Sequence, residues 1–368
     1  MFNIRKKNLG KLDAKLFIIL LALILFGLIV LYSATRSLSN KTILSQIIAT
    51  IIGFIAIIII VCIDMDFIKK SYMPIYIIGN ILLLLVLVFG TGREQWGSNS
   101  WIVIGSFRFQ PAEIVKLGFI LSFARYLEIN QKNISKPKTL LKILAFAGLP
   151  VLLILGQPDM GTALVFVFII IIMLFIAGLD LKYFFAALGV GIISSPIVYS
   201  QLEPFQKKRI LTFLNPEHDM SDSSYQALQG RIAIGSGKFF GKGYLKGTQG
   251  QFNFIPEKQT DYIFPVLVEE FGFVGGIIVI GLYGSLLYRF IKLADSRKDS
   301  FSKLVIMGLA AMFLFHIFEN IGMTLGVMPV TGIPLPFFSY GGTFQLINLI
   351  AIGLIFSVSI QKEALSFE

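Results

Sequence analysis

The sequence predicts an all-α polytopic membrane protein of about ten transmembrane helices, with both termini cytoplasmic and one large structured extracellular loop. Its residues are 55% hydrophobic and 14% charged, whereas soluble domains carry about 25% charged residues. Apolar runs such as 43–63 are long enough to cross the hydrocarbon core, which takes about 20 residues. Basic residues also differ in number between the two sides of these runs. Together, these observations exclude a soluble globular protein.

Hydropathy places all the spans in a single membrane domain, residues 1–368, with a long polar loop at 201–261 between the seventh and eighth spans. The predicted spans are 15–33, 43–63, 72–90, 111–128, 140–156, 160–178, 182–200, 262–288, 304–328 and 339–360.

The distribution of positive charge sets the predicted orientation. The side of the termini holds 19 Lys and Arg, and the short loops of the opposite side hold four. Because cytoplasmic loops carry the excess of basic residues, both termini are expected in the cytoplasm. The formal charge of +11 therefore indicates membrane topology and no nucleic-acid partner. Eight further basic residues in 201–261 suit an anionic headgroup such as a diphosphate, although a solvated basic surface is the alternative.

The first three spans are apolar helices that we interpret as scaffold, and the single cysteine, Cys62, is expected to be a packing residue. The fourth span contains Glu113 and Lys116, which share a helix face and can pair. An ion pair inside a span normally faces the protein interior or a water-filled cavity. A structural clamp and a substrate contact both stay open for this pair.

A hairpin at Gly156–Thr162 joins the fifth and sixth spans. Within it, Asp159 either caps the sixth span or lines an outward cavity.

The loop 201–261 is predicted to fold as a cap over a membrane cavity. Its aromatic and aliphatic residues argue against disorder, because disordered segments have little to bury. Residues 225–234 read as a short amphipathic helix at the membrane surface. The glycines of 241–250 are expected to form turns that bring backbone amides and Lys242 close to a ligand.

The cap ends in Pro256-Glu257-Lys258-Gln259-Thr260-Asp261, where a membrane span resumes. Taken alone, Asp261 is expected to be a helix N-cap, the commoner use of such a residue. Glu269 and Glu270 lie about two turns further on. Three prolines between 329 and 336 predict irregular backbone at membrane depth, which is tolerated where it is buried in protein or lines a wet cavity.

Several of these motifs, in this order, resemble the SEDS family of shape, elongation, division and sporulation proteins, which includes RodA, FtsW and SpoVE. The motifs that carry the resemblance are Gln157–Thr162, Tyr225–Gln229, Ile232–Gly237, Pro256-Glu257-x-x-Thr260-Asp261 and the block from Asn320 to Gly342. The resemblance covers nearly the whole chain. Asn215-Pro216-Glu217, Gly247-Thr248-Gln249 and Gln157-Pro158-Asp159 are more similar to RodA than to FtsW.

The resemblance implies a peptidoglycan glycosyltransferase that polymerises lipid II on the outer face of the bacterial cytoplasmic membrane during cell elongation. It implies lipid II, a class B penicillin-binding protein and membrane proteins of the elongation complex as partners. The family's essential aspartate falls on Asp261. The chain departs from the family pattern at Ala112, Gly230, Glu319 and Thr343, and it lacks an arginine just before Trp101.

Lipid II polymerisation joins a sugar hydroxyl to an anomeric carbon and releases a polyprenyl diphosphate, so it needs a general base and positive charge near the diphosphate. Asp261 is the predicted base, and burial would raise its pKa toward a useful range. Lys116, Arg209 and Lys242 are the candidates for diphosphate stabilisation. The predicted substrate-binding residues are Glu113, Lys116, Asp159, Arg209, Gln226, Lys242, Glu257, Thr260, Glu270 and Ser339.

No motif requires a cofactor, and a divalent cation, Mg²⁺ or Mn²⁺, on the diphosphate stays an open alternative. Two other functions also stay open: a lipid II flippase or transporter, and a non-catalytic scaffold for a transpeptidase. A transporter would favour internal repeats and a site at the membrane midplane.

Overall fold

The computed structural model describes residues 12–37, 40–92, 98–105, 107–215 and 222–361. Within these ranges, ten long helices confirm the ten predicted spans. They are α1 (Ala14–Thr35), α2 (Asn40–Cys62), α3 (Tyr72–Phe89), α4 (Pro111–Asn130), α5 (Pro137–Leu155), α6 (Met160–Ile176), α7 (Leu181–Gln201), α8 (Ile263–Asp295), α9 (Ser300–Leu325) and α10 (Gly342–Ser359). The bounds agree with the predictions to within four residues, except that α8 continues to Asp295.

Eight of these helices are long and apolar enough to cross a membrane, and α6 is a shorter apolar helix. The tenth, α4, carries four charged residues: Glu113, Lys116, Arg125 and Glu128. The protein is therefore an all-α polytopic membrane protein.

The remaining elements are short. Helices Met65–Lys70, Pro204–Leu214, Asp222–Gly237 and Thr248–Gln251 and the 3-10 turn Gln131–Asn133 connect or cover the long helices. Strands β1 (Ile102–Ile104) and β2 (Phe107–Phe109) form an antiparallel hairpin, with Ile102 opposite Phe109.

The core is centred on α9, which packs against α4, α6 and α8. Along a separate seam, α2 runs against α10. A Cβ on Gly53 would lie 2.2 Å from Leu349, and one on Gly353 would lie 3.1 Å from the Cα of Ile57. Small residues at this seam let the two backbones approach closely, as is typical of membrane helix pairs.

The long helix α8 is broken at Gly272, where φ is 67° and ψ is −167°. The break frees backbone groups, and the cap residues 238–243 pair with them. Phe273 N donates to Lys238 O at 2.9 Å, and Lys242 N donates to Glu269 O at 2.9 Å. The cap is therefore hydrogen-bonded into the interior of a membrane helix, which satisfies backbone that hydrocarbon could not.

The segment 327–341 between α9 and α10 is irregular, as its prolines predict. It is buried in protein, because Leu335 and Phe338 are fully enclosed and Pro336 O accepts from Tyr283 Oη at 2.5 Å. This irregular backbone is thus tolerated at membrane depth because it is buried in protein, one of the two situations expected from the sequence.

Helix α7 differs from the other long helices because none of its residues is buried. Its start is attached to the bundle: Tyr183 Oη donates to Ser135 O at 2.7 Å, and Phe184 contacts Phe175 of α6. Beyond these residues the described chain offers α7 little packing.

Candidate active site around Asp261

Asp261 ends a tight turn, residues 256–261, that leads from the cap into α8. Glu257 closes the turn with a φ of 49°, and its carbonyl accepts from Thr260 N at 3.1 Å and Tyr262 N at 3.2 Å. The N-cap residue of α8 is Tyr262, and no side chain caps this helix. Asp261 is therefore not the N-cap of α8, the role that capping preference alone would give it, and its carboxylate is left for other chemistry.

The Asp261 carboxylate faces the irregular segment between α9 and α10. A Cβ on Gly332 would lie 3.2 Å from its Oδ2. The backbone carbonyl of Asp261 is held by Asn320 on α9, whose Nδ2 also donates to Ile333 O. Within the described chain no group donates a hydrogen bond to the carboxylate itself.

Burial first, and then the nearby Glu257 carboxylate, raise the pKa of the Asp261 carboxyl to about 7, against the opposing effect of Arg209. Asp261 as a whole residue is nevertheless only partly buried. A carboxylate with such a pKa is available both to accept and to release a proton near neutrality.

Arg209, on helix Pro204–Leu214, is the positive charge that lowers the pKa of Asp261. Its Nη1 donates to Thr331 O at 3.2 Å, and its guanidinium lies 5.7 Å from the ring centroid of Phe205. Burial lowers its pKa, while Asp261, Asp159 and Tyr262 raise it. An arginine keeps its charge in proteins, so Asp261 shares its surroundings with a fixed, partly desolvated cation.

Ser339 holds the turn in place from the other side. Its Oγ donates to Thr260 O at 2.6 Å and accepts from Leu335 N at 2.7 Å. Tyr340 N donates to Gln259 O at 2.7 Å. Ser339 therefore links the segment between α9 and α10 to the turn that carries Asp261.

Glu257, Thr260 and Gln226 lie around the same turn. Thr260 Oγ1 donates to Glu257 Oε2 at 2.9 Å, and Gln226 Nε2 donates to Pro256 O at 3.3 Å. The Glu257 carboxylate therefore stands beside Asp261 as a second negative charge.

Glu113 and Lys116 form the predicted pair, at 2.7 Å, and Lys116 is 1% exposed. Lys116 Nζ also lies 2.9 Å from His316 Nε2 on α9. The other ring nitrogen of His316 lies 3.4 Å from Pro334 O. The pair thus faces the protein interior, and His316 connects it to the backbone of the segment between α9 and α10. His316 lies one helical turn before Asn320, which holds the backbone of Asp261.

Asp159 is an N-cap, one of its two predicted roles. Its Oδ1 accepts from Thr162 N at 3.1 Å, and its Oδ2 accepts from Gln110 Nε2 at 2.7 Å. It also influences the pKa of Arg209, so it lies on the same side of the bundle as Asp261.

Lys242 lies in a separate cluster within the cap. Its Nζ lies 2.7 Å from Glu269 Oε1, and the amides of Gln249 and Gly250 donate to the same carboxylate at 2.9 and 3.0 Å. The glycine-rich turns therefore direct these groups to a carboxylate of the same chain, in place of the external ligand expected from the sequence.

Glu270 contacts α1. Its Oε1 accepts from Ser33 Oγ at 2.5 Å and from Gln251 Nε2 at 3.4 Å. Its Oε2 is buried and has no hydrogen-bond partner among the described residues.

The structure thus brings Asp261, Arg209, Glu257, Thr260 and Ser339 together, with Asp159 and Gln226 at their edge. It places Glu113 and Lys116 below this group, and Lys242 and Glu270 at the contact of the cap with α8 and α1. Sequence reasoning assigned no role to His316, Asn320 or Lys258. A polar side chain inside an apolar run was the available signal for His316 and Asn320.

The described residues contain no cluster of side chains suited to bind a metal ion. In the described ranges no group of three or more His, Cys, Asp and Glu side chains is arranged to hold an ion.

The predicted loop 201–261 includes residues 216–221, among them Pro216 and Glu217, which lie outside the described ranges.

Fold and site together define a polytopic helical membrane protein that holds a carboxylate of raised pKa within the electrostatic influence of a guanidinium. The family model described as cell cycle protein, which covers FtsW, RodA and SpoVE, matches residues 13–364. The chain belongs to this family.

Among curated relatives, the stage V sporulation protein E of Bacillus subtilis is 36% identical, over 94% of this chain and 96% of that one. The peptidoglycan glycosyltransferase RodA of Treponema pallidum is 33% identical, over 97% and 100%. Among solved structures, a chain from a peptidoglycan synthase complex that coordinates polymerization and crosslinking has a TM-score of 0.83 at 30% identity, over 95% of this chain and 98% of that one.

Proposed function

We propose that this protein is a peptidoglycan glycosyltransferase that polymerises lipid II into glycan strands on the outer face of the cytoplasmic membrane. The observation that carries the proposal is the Asp261 carboxylate, which caps no helix, accepts no hydrogen bond within the described chain and has a pKa raised to about 7. Two relatives support it. One is the stage V sporulation protein E of Bacillus subtilis, at 36% identity. The other is RodA of Treponema pallidum, which is named a peptidoglycan glycosyltransferase, at 33% identity.

In the proposed reaction, Asp261 takes the proton of an acceptor sugar hydroxyl while that oxygen attacks the anomeric carbon of the donor. The new carbon–oxygen bond forms as the bond to the diphosphate breaks, and undecaprenyl diphosphate leaves with the electron pair. Direct displacement inverts the anomeric centre, so an α-linked donor gives a β-linked product. Positioned base catalysis of this kind contributes roughly 10²–10⁴-fold to the rate.

Arg209 is the proposed partner of the departing diphosphate. Of the three predicted cations, Lys116 has Glu113 and Lys242 has Glu269 as carboxylate partners. Arg209 donates to a backbone carbonyl and forms no ion pair with Asp261, so its remaining N–H groups can meet an anion. Charge fixed in advance where negative charge develops is an effective form of transition-state stabilisation.

A polymerisation assay tests the function. Purified protein is supplied with lipid II and Mn²⁺ or Mg²⁺, and glycan length is read on a gel. Asp261→Asn should abolish polymer while the protein elutes and melts as a folded species. Asp180→Asn is the matched control, because Asp180 is an exposed carboxylate beside Lys182 at the start of α7, and it should polymerise normally.

Other outcomes of the same assay would overturn the proposal. If neither protein makes polymer but labelled lipid II crosses the vesicle bilayer, the protein is a flippase. If it neither polymerises nor moves lipid II, with or without a transpeptidase, it is a scaffold. Repeating the assay with EDTA tests the divalent cation, for which the described side chains provide no cluster.

The biological setting is part of the proposal. A solved relative comes from a peptidoglycan synthase complex, which supports a class B penicillin-binding protein as partner. Similarity to RodA supports a role in cell elongation with other membrane proteins of that machinery. Co-purification from native membranes under mild detergent is the measurement for these partners.

A further inference from the structure

Lys258 is a buried cation at the centre of the contact between the cap and α1. It is 3% exposed, yet no carboxylate pairs with it in the described chain. Its Nζ donates to three neutral oxygens: Gly250 O at 2.5 Å, Asn253 Oδ1 at 2.7 Å and Ser37 Oγ at 2.9 Å. An ammonium group has three donors, so all of them are used.

These three acceptors come from separate parts of the chain. Ser37 follows the end of α1, whereas Gly250 and Asn253 belong to the cap. Ser37 Oγ also donates to Asn253 Oδ1 at 2.8 Å, which closes the cluster. Lys258 itself lies three residues before Asp261, inside the turn closed by Glu257. One side chain therefore fastens the Asp261 turn to both the cap and the first helix.

This arrangement is costly for a purely structural contact. Burial lowers the pKa of Lys258, because an ammonium away from water loses its hydration, and the Glu270 carboxylate, which forms no ion pair with it, opposes this effect only in part. An apolar side chain of similar length would fill the space without that cost. What methionine could not supply is three directed hydrogen bonds, which fix the turn in position and angle.

We propose that Lys258 is a positioning residue for the reaction: it holds the 256–261 turn so that the Asp261 carboxylate stays desolvated and correctly aimed. This inference rests on the proposed function insofar as it concerns catalysis. Without Lys258 the turn loosens, more water reaches the carboxylate, and its pKa falls toward that of an ordinary aspartate. Misplacement by about 1 Å can cost on the order of 100-fold in rate.

The test compares Lys258→Met with Lys246→Met, a matched control because Lys246 is an exposed cap lysine whose side chain forms no hydrogen bond or ion pair with the described residues. For each protein, polymerisation is measured from pH 5 to pH 9, and hydrogen exchange is measured for the peptide that contains residues 256–262. Lys258→Met should lower kcat about 10- to 100-fold with a smaller change in KM. The acid limb of its pH profile should move below that of the wild type, and the peptide should exchange faster. Lys246→Met should match the wild type in all three.

Two milder variants keep the test valid if Lys258→Met does not fold. Ser37→Ala and Asn253→Gly each remove one acceptor, and glycine keeps the left-handed backbone of residue 253, where φ is 59°. Each should shift the limb in the same direction by less.

The proposal is overturned if the acid limb stays at the wild-type pH in every variant that folds, whatever happens to the rate. Its failure can be told apart from failure of the proposed function. If the wild type makes no polymer, the function is wrong, and unchanged exchange of the 256–262 peptide would separately show that Lys258 does not hold the turn.

Discussion

At the scale of single residues, the pKa of Asp261 is the outcome of opposing effects. Burial and the Glu257 carboxylate raise it, and Arg209 lowers it. An ordinary aspartate, with a pKa near 3.9, is ionised at neutral pH but is a weak base. Raising the value to about 7 makes the carboxylate a stronger base while leaving about half of it ionised at that pH.

The first prediction concerns pH. Polymerisation should fall as the pH drops through 7, about tenfold per unit at the acid end, because the protonated carboxyl cannot act as a base. Since the folded pKa lies above the unfolded value, the folded state binds the extra proton. Stability is therefore highest below about pH 4 for this group and is lost as the pH rises through 7.

The Asp261→Asn variant separates these two effects. It should melt at the same temperature as the wild type below about pH 4 and at a higher temperature at pH 8, because it carries no buried charge there. Melting followed by intrinsic fluorescence in detergent measures this. A lower melting temperature at pH 8 would contradict the raised pKa.

The second prediction concerns Arg209. Arg209→Ala should lower the polymerisation rate about 10²–10³-fold, the range found when one stabilising donor is removed. It should also move the acid limb above that of the wild type, because the guanidinium lowers the pKa of Asp261. Steady-state rates across pH measure both. Lys207→Ala, two residues away, is the control, and an unmoved limb in Arg209→Ala would show that the two charges do not interact.

At the scale of elements, the break in α8 is the feature on which the cap depends. Gly272 has a left-handed φ of 67°, and a Cβ there would lie 2.3 Å from Gly241 N and 2.5 Å from Phe239 O. No side chain fits without separating the cap from the helix.

The third prediction follows from this contact. Gly272→Ala should strongly destabilise the protein, because it combines strained backbone with a clash against main chain. Gly281→Ala, on the same helix with open space around it, should be neutral or slightly stabilising, since alanine is the better helix former. Thermal melting and proteolysis of the cap measure the difference, and equal behaviour of the two variants would show that the contact of the cap with Gly272 does not stabilise the protein.

The fourth prediction concerns α7, which has no buried residue. In the described chain its contacts lie near its two ends, around Tyr183 and where Ser200 O accepts from Lys207 Nζ at 2.9 Å, so its middle should occupy a wide range of positions in the bilayer. In a Cys62→Ser background, spin labels at Ile193 of α7 and Phe318 of α9 should give a broad distance distribution. Labels at Ile277 of α8 and Phe318 should give a narrow one. Equal widths would contradict this expectation.

At the scale of the whole molecule, the ten helices could be predicted because span length and hydropathy are local properties of the chain. Asp261 could be found by its place in a motif and Arg209 by its charge. The break at Gly272 could not, because glycine is common in membrane helices and the backbone that pairs with the break lies about 30 residues earlier. Lys258 was missed for a similar reason: its partners, Ser37 and Gly250, are brought together only by the fold.

The pairing of 238–243 with the interior of α8 also has a consequence for biosynthesis. A ribosome delivers the cap before it delivers Ile263–Asp295, so the complementary backbone has already been synthesised when the interrupted helix enters the lipid. If the cap followed α8 in the chain, Glu269 O and Phe273 N would lie in hydrocarbon without hydrogen-bond partners until the cap was synthesised. The order of segments in the gene therefore matches the order in which their hydrogen bonds are needed.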